Sequence, residues 1–228
     1  VKPMEDRYID VGLRSLRDSY ILLFISLIML MAAYVIVFGS LASKLLYGVG
    51  SVNSIIAVVR HWLNSPAALS VGILSILAML LSIASLALQL RGFVNLAKVN
   101  RGRYGFGILG IVLILFGLAI ASISLAEFYL TTRSLYIRYQ AVSFAPLLQA
   151  PAALIYLSVF ILGLLLMAAG IILVSVALWR LGHDYNEGLV TVAALLLAFS
   201  VFVWVLSIAA SILLAIGLNS IMRAIKAQ

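Results

Sequence analysis

The sequence predicts an all-α integral membrane protein with about five transmembrane helices, an amino-terminal amphipathic helix and a parallel two-helix internal repeat. Three observations predict it. Of the 228 residues, 65% are hydrophobic and 10% charged, and the mean hydropathy is +1.25. A water-soluble chain of this composition would leave a large apolar area exposed. Five apolar runs, residues 20–38, 67–90, 105–126, 152–178 and 189–218, are each long enough for a bilayer, which needs about 20 residues per helix. None of the five contains Lys, Arg, Asp, Glu or His. Strands of a membrane barrel would be shorter and would alternate in polarity.

The first segment, 1–19, mixes four acids with four bases. Ile9, Leu13, Leu16 and Tyr20 recur at helical spacing and form one face. Asp6, Asp10, Arg14 and Asp18 stand four apart on another, where Arg14 meets both neighbouring acids. This spacing predicts an amphipathic helix lying in the head-group plane and leading into the first span. The charged arm and the long apolar run that follows it do not resemble a secretory signal.

Between the first two spans, 39–66 keeps near-helical apolar spacing interrupted by Gly48 and Gly50. It reads as surface helices half-sunk in the membrane, with Trp62 as an interfacial anchor and Pro66 opening the second span. The turn 91–104 carries four basic residues and no acid. The aromatic connection 127–151 ends in Pro-Ala-Ala-Leu, as the first long connection does. Those two prolines are 85 positions apart, and so are the starts of the first and third spans at Tyr20 and Gly105. A two-helix unit used twice, followed by a half-unit in 189–218, accounts for this spacing, with the copies parallel. The tail is 219–228.

The net charge of +8 reads as membrane topology, because the basic residues flank the spans and no segment is long enough to build a soluble nucleic-acid surface. Nine Lys and Arg fall on the amino-terminal side of five crossings and six on the other. That bias places the amino terminus in the cytoplasm and the carboxy terminus outside. Cysteine is absent, which removes disulfide and thiolate chemistry.

Gly105-Phe-Gly107-Ile-Leu-Gly110 spells G-x-G-x-x-G, but a dinucleotide fold needs a strand before it. As part of a helix, Gly107 and Gly110 instead let a neighbouring helix approach. Ser207, Ser211 and Ala215 form a similar stripe in the last span, and the second and fourth spans carry Ala78, Ser82 and Ser85, and Gly163 and Gly170. Lys98, Arg101 and Arg103 beside a helix start suit a lipid phosphate. His183, Asp184 and Glu187 are the compact ionisable cluster. His183 and Glu187 have metal-ligand spacing, but one His with two acids is a poor zinc set. Capping of the next helix, with Arg180 paired to Asp184, explains the cluster more simply. No catalytic, cofactor or metal residue is therefore expected. The spans also lack the buried charge that coupled transport uses.

At Arg91-Gly-Phe, at Arg103-Tyr-Gly-Phe-Gly and across residues 178–189 (Leu-Trp-Arg-Leu-Gly-His-Asp-Tyr-Asn-Glu-Gly-Leu), the chain resembles an integral-membrane family of thermophilic archaea that is catalogued only as a domain of unknown function. The resemblance implies an archaeal plasma membrane and a multi-span helical fold, and it brings no activity. The expectation is a non-catalytic membrane protein whose partners are lipids and other subunits: an accessory subunit of a membrane assembly, or a homo-oligomeric scaffold. The alternative is a small channel or transporter for a small solute or anion, lined by Ser and Thr.

Overall fold

The structure is a computed structural model that describes residues 2–48, 62, 64–139 and 151–227. These residues form six helices and no strand: α1 (Lys2–Gly48), α2 (Pro66–Val99), α3 (Arg101–Tyr139), α4 (Pro151–Asp184), α5 (Gly188–Phe199) and α6 (Leu206–Lys226). Five of them, all but α5, are long and apolar enough to cross a membrane. Each helix packs on the next, and α6 closes back on α1, so the six make a ring.

α1 is one helix of 47 residues, about 70 Å long at 1.5 Å per residue. The charged arm is therefore not a separate helix in the head-group plane. It runs on into the first span without a break. Leu13, Leu16 and Tyr20 are fully buried, so the predicted stripe faces protein instead of lipid. Arg14 pairs with Asp10 at 2.7 Å, while Asp18 is taken by Arg17 at 2.7 Å. The Tyr20 hydroxyl is the buried side-chain oxygen without a hydrogen-bond partner among the described residues, and such an orphan costs about 1–3 kcal/mol.

α1 also absorbs the start of the first long connection, since it runs to Gly48. Residues 49–61, where surface helices were expected, lie outside the described residues. Trp62 is folded onto α1, with its indole N–H donating to the Ser40 hydroxyl at 2.7 Å. Ser65 then caps α2, accepting from the Ala68 N–H, and Pro66 stands in the first turn. In the second long connection, Phe128 to Tyr139 belong to α3, and 140–150 lie outside the described residues.

α1 and α2 form one antiparallel hairpin, and α3 and α4 form another. α2 and α4 each have 34 residues, and they begin 85 positions apart and end 85 positions apart. Their seams match too. Ala78 and Gly163, Ser85 and Gly170, and Gly92 and Ala177 are small and buried at the same spacing. The opposing helices follow a different step. Ser85 donates to the Ser19 carbonyl at 2.9 Å, while its counterpart Gly170 meets Gly110. Ser26 donates to the Ala78 carbonyl at 2.9 Å, while Gly163 meets Gly117. From α1 to α3 the repeat is thus 91 positions, not the 85 expected from the span starts. The extra six residues sit in the first connection.

The expected half-unit, a single span over 189–218, is instead a third hairpin. α5 ends at Phe199, and α6 starts at Leu206 and runs back, placing Gly217 against Val190 and Leu189. The run 200–205, Ser-Val-Phe-Val-Trp-Val, supplies the break: β-branched and aromatic residues in series are poor helix formers. The carboxy terminus therefore returns to the end of the bundle where α1 begins.

The core lies at that end, which we call the charged end. Leu13, Leu16, Phe93, Leu96, Leu178, Leu181, Leu214 and Leu218 are fully buried there and fill the ring. Toward the far end each long hairpin is buried only along its own seam, and its flanks carry exposed Leu, Ile and Phe.

Candidate functional site at the charged end

The α2–α3 and α4–α5 turns come together at the charged end. α4 closes with backbone bonds from the Tyr185, Asn186 and Glu187 N–H groups to Leu181, His183 and Gly182 carbonyls. Asn186 takes a left-handed conformation, φ 51, which Asn tolerates better than most residues. Gly182 is required here, because a Cβ would stand 2.5 Å from the Thr191 hydroxyl and 2.8 Å from the Thr191 nitrogen.

Asp184, the last residue of α4, accepts from the Arg103 guanidinium and, at 2.9 Å, from the Tyr104 hydroxyl. Its side chain is 16% exposed and that of Arg103 is 55% exposed. The expected Arg180–Asp184 pair is replaced by this contact. Arg180 lies over the Phe106 ring at 4.7 Å and donates to the Gly102 carbonyl at 3.4 Å. Glu187 holds the N-cap position of α5 but makes no side-chain cap bond, so the expected carboxylate capping is absent there. His183 lies beside Trp179, with ring centroids 6.4 Å apart. Among the described residues no three His, Cys, Asp or Glu side chains gather into a metal-sized group. Burial pushes the Tyr185 phenol above its ordinary range, and the Asp184 and Asp6 carboxylates push it further.

Of the three basic residues singled out for a lipid phosphate, Arg103 is committed to Asp184. The Lys98 ammonium lies over the Tyr8 ring at 4.6 Å, and Arg101 is exposed at the first position of α3. Lys98 and Arg101 together line a groove of about 560 Å³ between α2 and α3. Beside it, Arg7 and Arg91 line a second groove of about 510 Å³ between α1 and α2. Sequence reasoning missed Arg7 and Arg91, which are remote along the chain. The signal available was the position of both on helices that a hairpin folds together.

The packing residues fall as follows. Gly107 lies against the Phe93 ring, where any Cβ would collide with it. Gly110 and Gly170 face each other, and a Cβ on either would stand 2.5–2.6 Å from the other's carbonyl oxygen. In α6, Ser211 is fully buried and donates to the Ser207 carbonyl at 2.7 Å. Ser207 and Ala215 are half-buried at the edges of a face made by Ala210, Leu214, Gly217 and Ile221. Gly105 meets only Arg101 of its own helix, at 3.9 Å. The G-x-G-x-x-G run thus lies within a continuous helix, and the element before it is the helix α2.

No curated protein and no solved structure matches the chain. A family model described as "Protein of unknown function (DUF973)" matches residues 11–228. The match begins in the charged arm of α1 and covers all three hairpins and both turns of the charged end, and on that coverage the chain belongs to the DUF973 family of unknown function.

Proposed function

We propose that the protein is a non-catalytic membrane scaffold that works by associating with a second copy of itself through the outer face of the α5–α6 hairpin. One observation carries this reading. Leu189, Val192, Leu195 and Phe199 on α5, with Ile212 and Ile216 on α6, are 40–60% exposed. α5 rises about 18 Å from the charged end; Tyr8 of α1 lies at that end under the Lys98 ammonium, and the same rise from it reaches Tyr20. The apolar face therefore stands level with Asp10, Arg14, Arg17 and Asp18, and not with the apolar run of α1. A bilayer covering this face would have to immerse the charges of the neighbouring α1 arm as well. Protein contact covers the face without that cost.

The same hairpin supports a reading of the orientation. With Arg223 and Lys226 returned to the charged end, that end holds eleven of the 15 Lys and Arg residues. The other four, Lys44, Arg60, Arg133 and Arg138, lie in or beside the two long connections of the sequence. The positive-inside rule then puts both termini in the cytoplasm. An archaeal plasma membrane rests on the sequence motifs alone. The channel alternative draws no support from a ring filled by Leu13, Leu16, Phe93 and Leu214.

The chain has no cysteine, so single-cysteine crosslinking in membranes reads the interface directly. Val192→Cys and Ile216→Cys are expected to give covalent homodimers, and Arg14→Cys, exposed on the charged arm of α1, is expected to stay monomeric. Crosslinks only to another protein would replace the homodimer with an accessory-subunit role. Labelling of Val192→Cys by a lipid-soluble reagent without any crosslink would overturn the scaffold reading.

A further inference from the structure

The two grooves at the charged end lie on either side of the last turns of α2 and share Val94. Four cations line them, Arg7 and Arg91 in one and Lys98 and Arg101 in the other, and no acid lines either. Lys98, stacked on Tyr8 of α1, sits on the ridge between them. The α2–α3 groove is polar at one end only. Beyond Lys98 and Arg101 its wall is Ile108, Leu109 and Val112, and it runs along α3 into the apolar span. From Arg101 to Val112 is about 16 Å of helix, the length of a stretch of lipid chain below its head group.

We propose that this groove is a binding site for an anionic phospholipid. Its phosphate lies between Lys98 and Arg101, and one acyl chain lies along Ile108, Leu109 and Val112. Arg7 and Arg91 in the neighbouring groove strengthen the positive field. Charge complementarity and the passage from cationic rim to apolar wall together select a lipid over a soluble anion, because only a lipid fills both parts. Arg103 takes no part, because Asp184 holds it.

Native mass spectrometry of the detergent-extracted full chain, titrated with phosphatidylglycerol and with phosphatidylcholine, tests this. The wild type is expected to retain phosphatidylglycerol preferentially. Lys98→Gln/Arg101→Gln is expected to lower that retention about tenfold or more, since each basic residue near an anionic head group contributes severalfold in affinity, to leave phosphatidylcholine adducts unchanged, and to lower the unfolding temperature by no more than about 4 °C through loss of the Lys98–Tyr8 contact. Arg7→Gln/Arg91→Gln is expected to lower it by a smaller factor. Arg103→Gln is expected to leave lipid retention at the wild-type level. Retention by Lys98→Gln/Arg101→Gln within twofold of wild type would overturn the site. Displacement of the lipid by millimolar glycerol phosphate would overturn the lipid assignment in favour of a free phosphate site.

Discussion

Gly170→Leu is expected to lower the unfolding temperature in detergent by about 10 °C, the largest effect of any single substitution in the transmembrane hairpins. α3 and α4 touch through paired glycines, Gly110 with Gly170 and Gly117 with Gly163. A Cβ on Gly170 would meet the Gly110 carbonyl oxygen at 2.5 Å and the Ile114 nitrogen at 2.9 Å. These are backbone atoms, so no rotamer change relieves the clash and the helices must separate. Overpacking of this kind costs about 3 kcal/mol or more when the neighbours cannot yield, and one kcal/mol shifts the midpoint by about 2–4 °C at this chain length. Gly163→Leu should behave alike, because its Cβ would stand 2.8 Å from the Gly117 carbonyl oxygen and the Ala121 nitrogen. Gly72→Ala and Gly39→Ala are the controls. Neither has any atom within 4 Å of the added Cβ, and alanine in a helix is favoured by about 0.5–1 kcal/mol. Circular dichroism melts of these four variants check the seam. Equal melting of Gly170→Leu and Gly72→Ala would contradict it.

The second large effect is expected at the α4 terminus. Asp184→Ala removes the acceptor of the buried Tyr104 hydroxyl and the partner of Arg103. The guanidinium is more than half exposed and screened by water, so the ion pair contributes under about 1 kcal/mol. The Tyr104 bond differs, because Tyr104 is 5% exposed and its acceptor is a carboxylate. Bonds to charged groups contribute about 1.5–3 kcal/mol. Asp184→Ala should therefore lower stability by about 2 kcal/mol, or roughly 5 °C, and Asp184→Asn by less, since it keeps an acceptor. A double-mutant cycle separates the two contacts. Tyr104→Phe with Asp184→Ala should show coupling above about 1 kcal/mol, and Arg103→Gln with Asp184→Ala should show less.

The long hairpins were legible in the sequence because their signals are one-dimensional. Uncharged runs give the spans, and Pro66 and Pro151 mark the starts of α2 and α4. The buried stripe of Leu13, Leu16 and Tyr20 was legible as a stripe, but what covers it was not. A period of 3.6 describes a face without saying whether lipid or protein lies against it. Arg103 and Asp184 are 81 positions apart, and only the α3–α4 hairpin brings them together. Sequence proximity favoured Arg180, four residues away. The last hairpin was missed because 30 residues without a charge, 189–218, satisfy the length rule for one span. The contrary signal was local: Val201, Phe202, Val203, Trp204 and Val205 have low helix propensity, with no Gly or Pro to mark the turn.

The proposed placement of the chain rests on that hairpin. Because α6 returns beside α5, the carboxy terminus comes back to the charged end, and the apolar face proposed for association stands beside the charged arm of α1. Reporter fusions at each terminus measure this most directly, using a tag that is active only in the cytoplasm and one active only outside. Both termini are expected to report the cytoplasm. Termini on opposite sides would mean that 189–218 crosses the bilayer as a single span, and would contradict both the hairpin and the scaffold surface built on it.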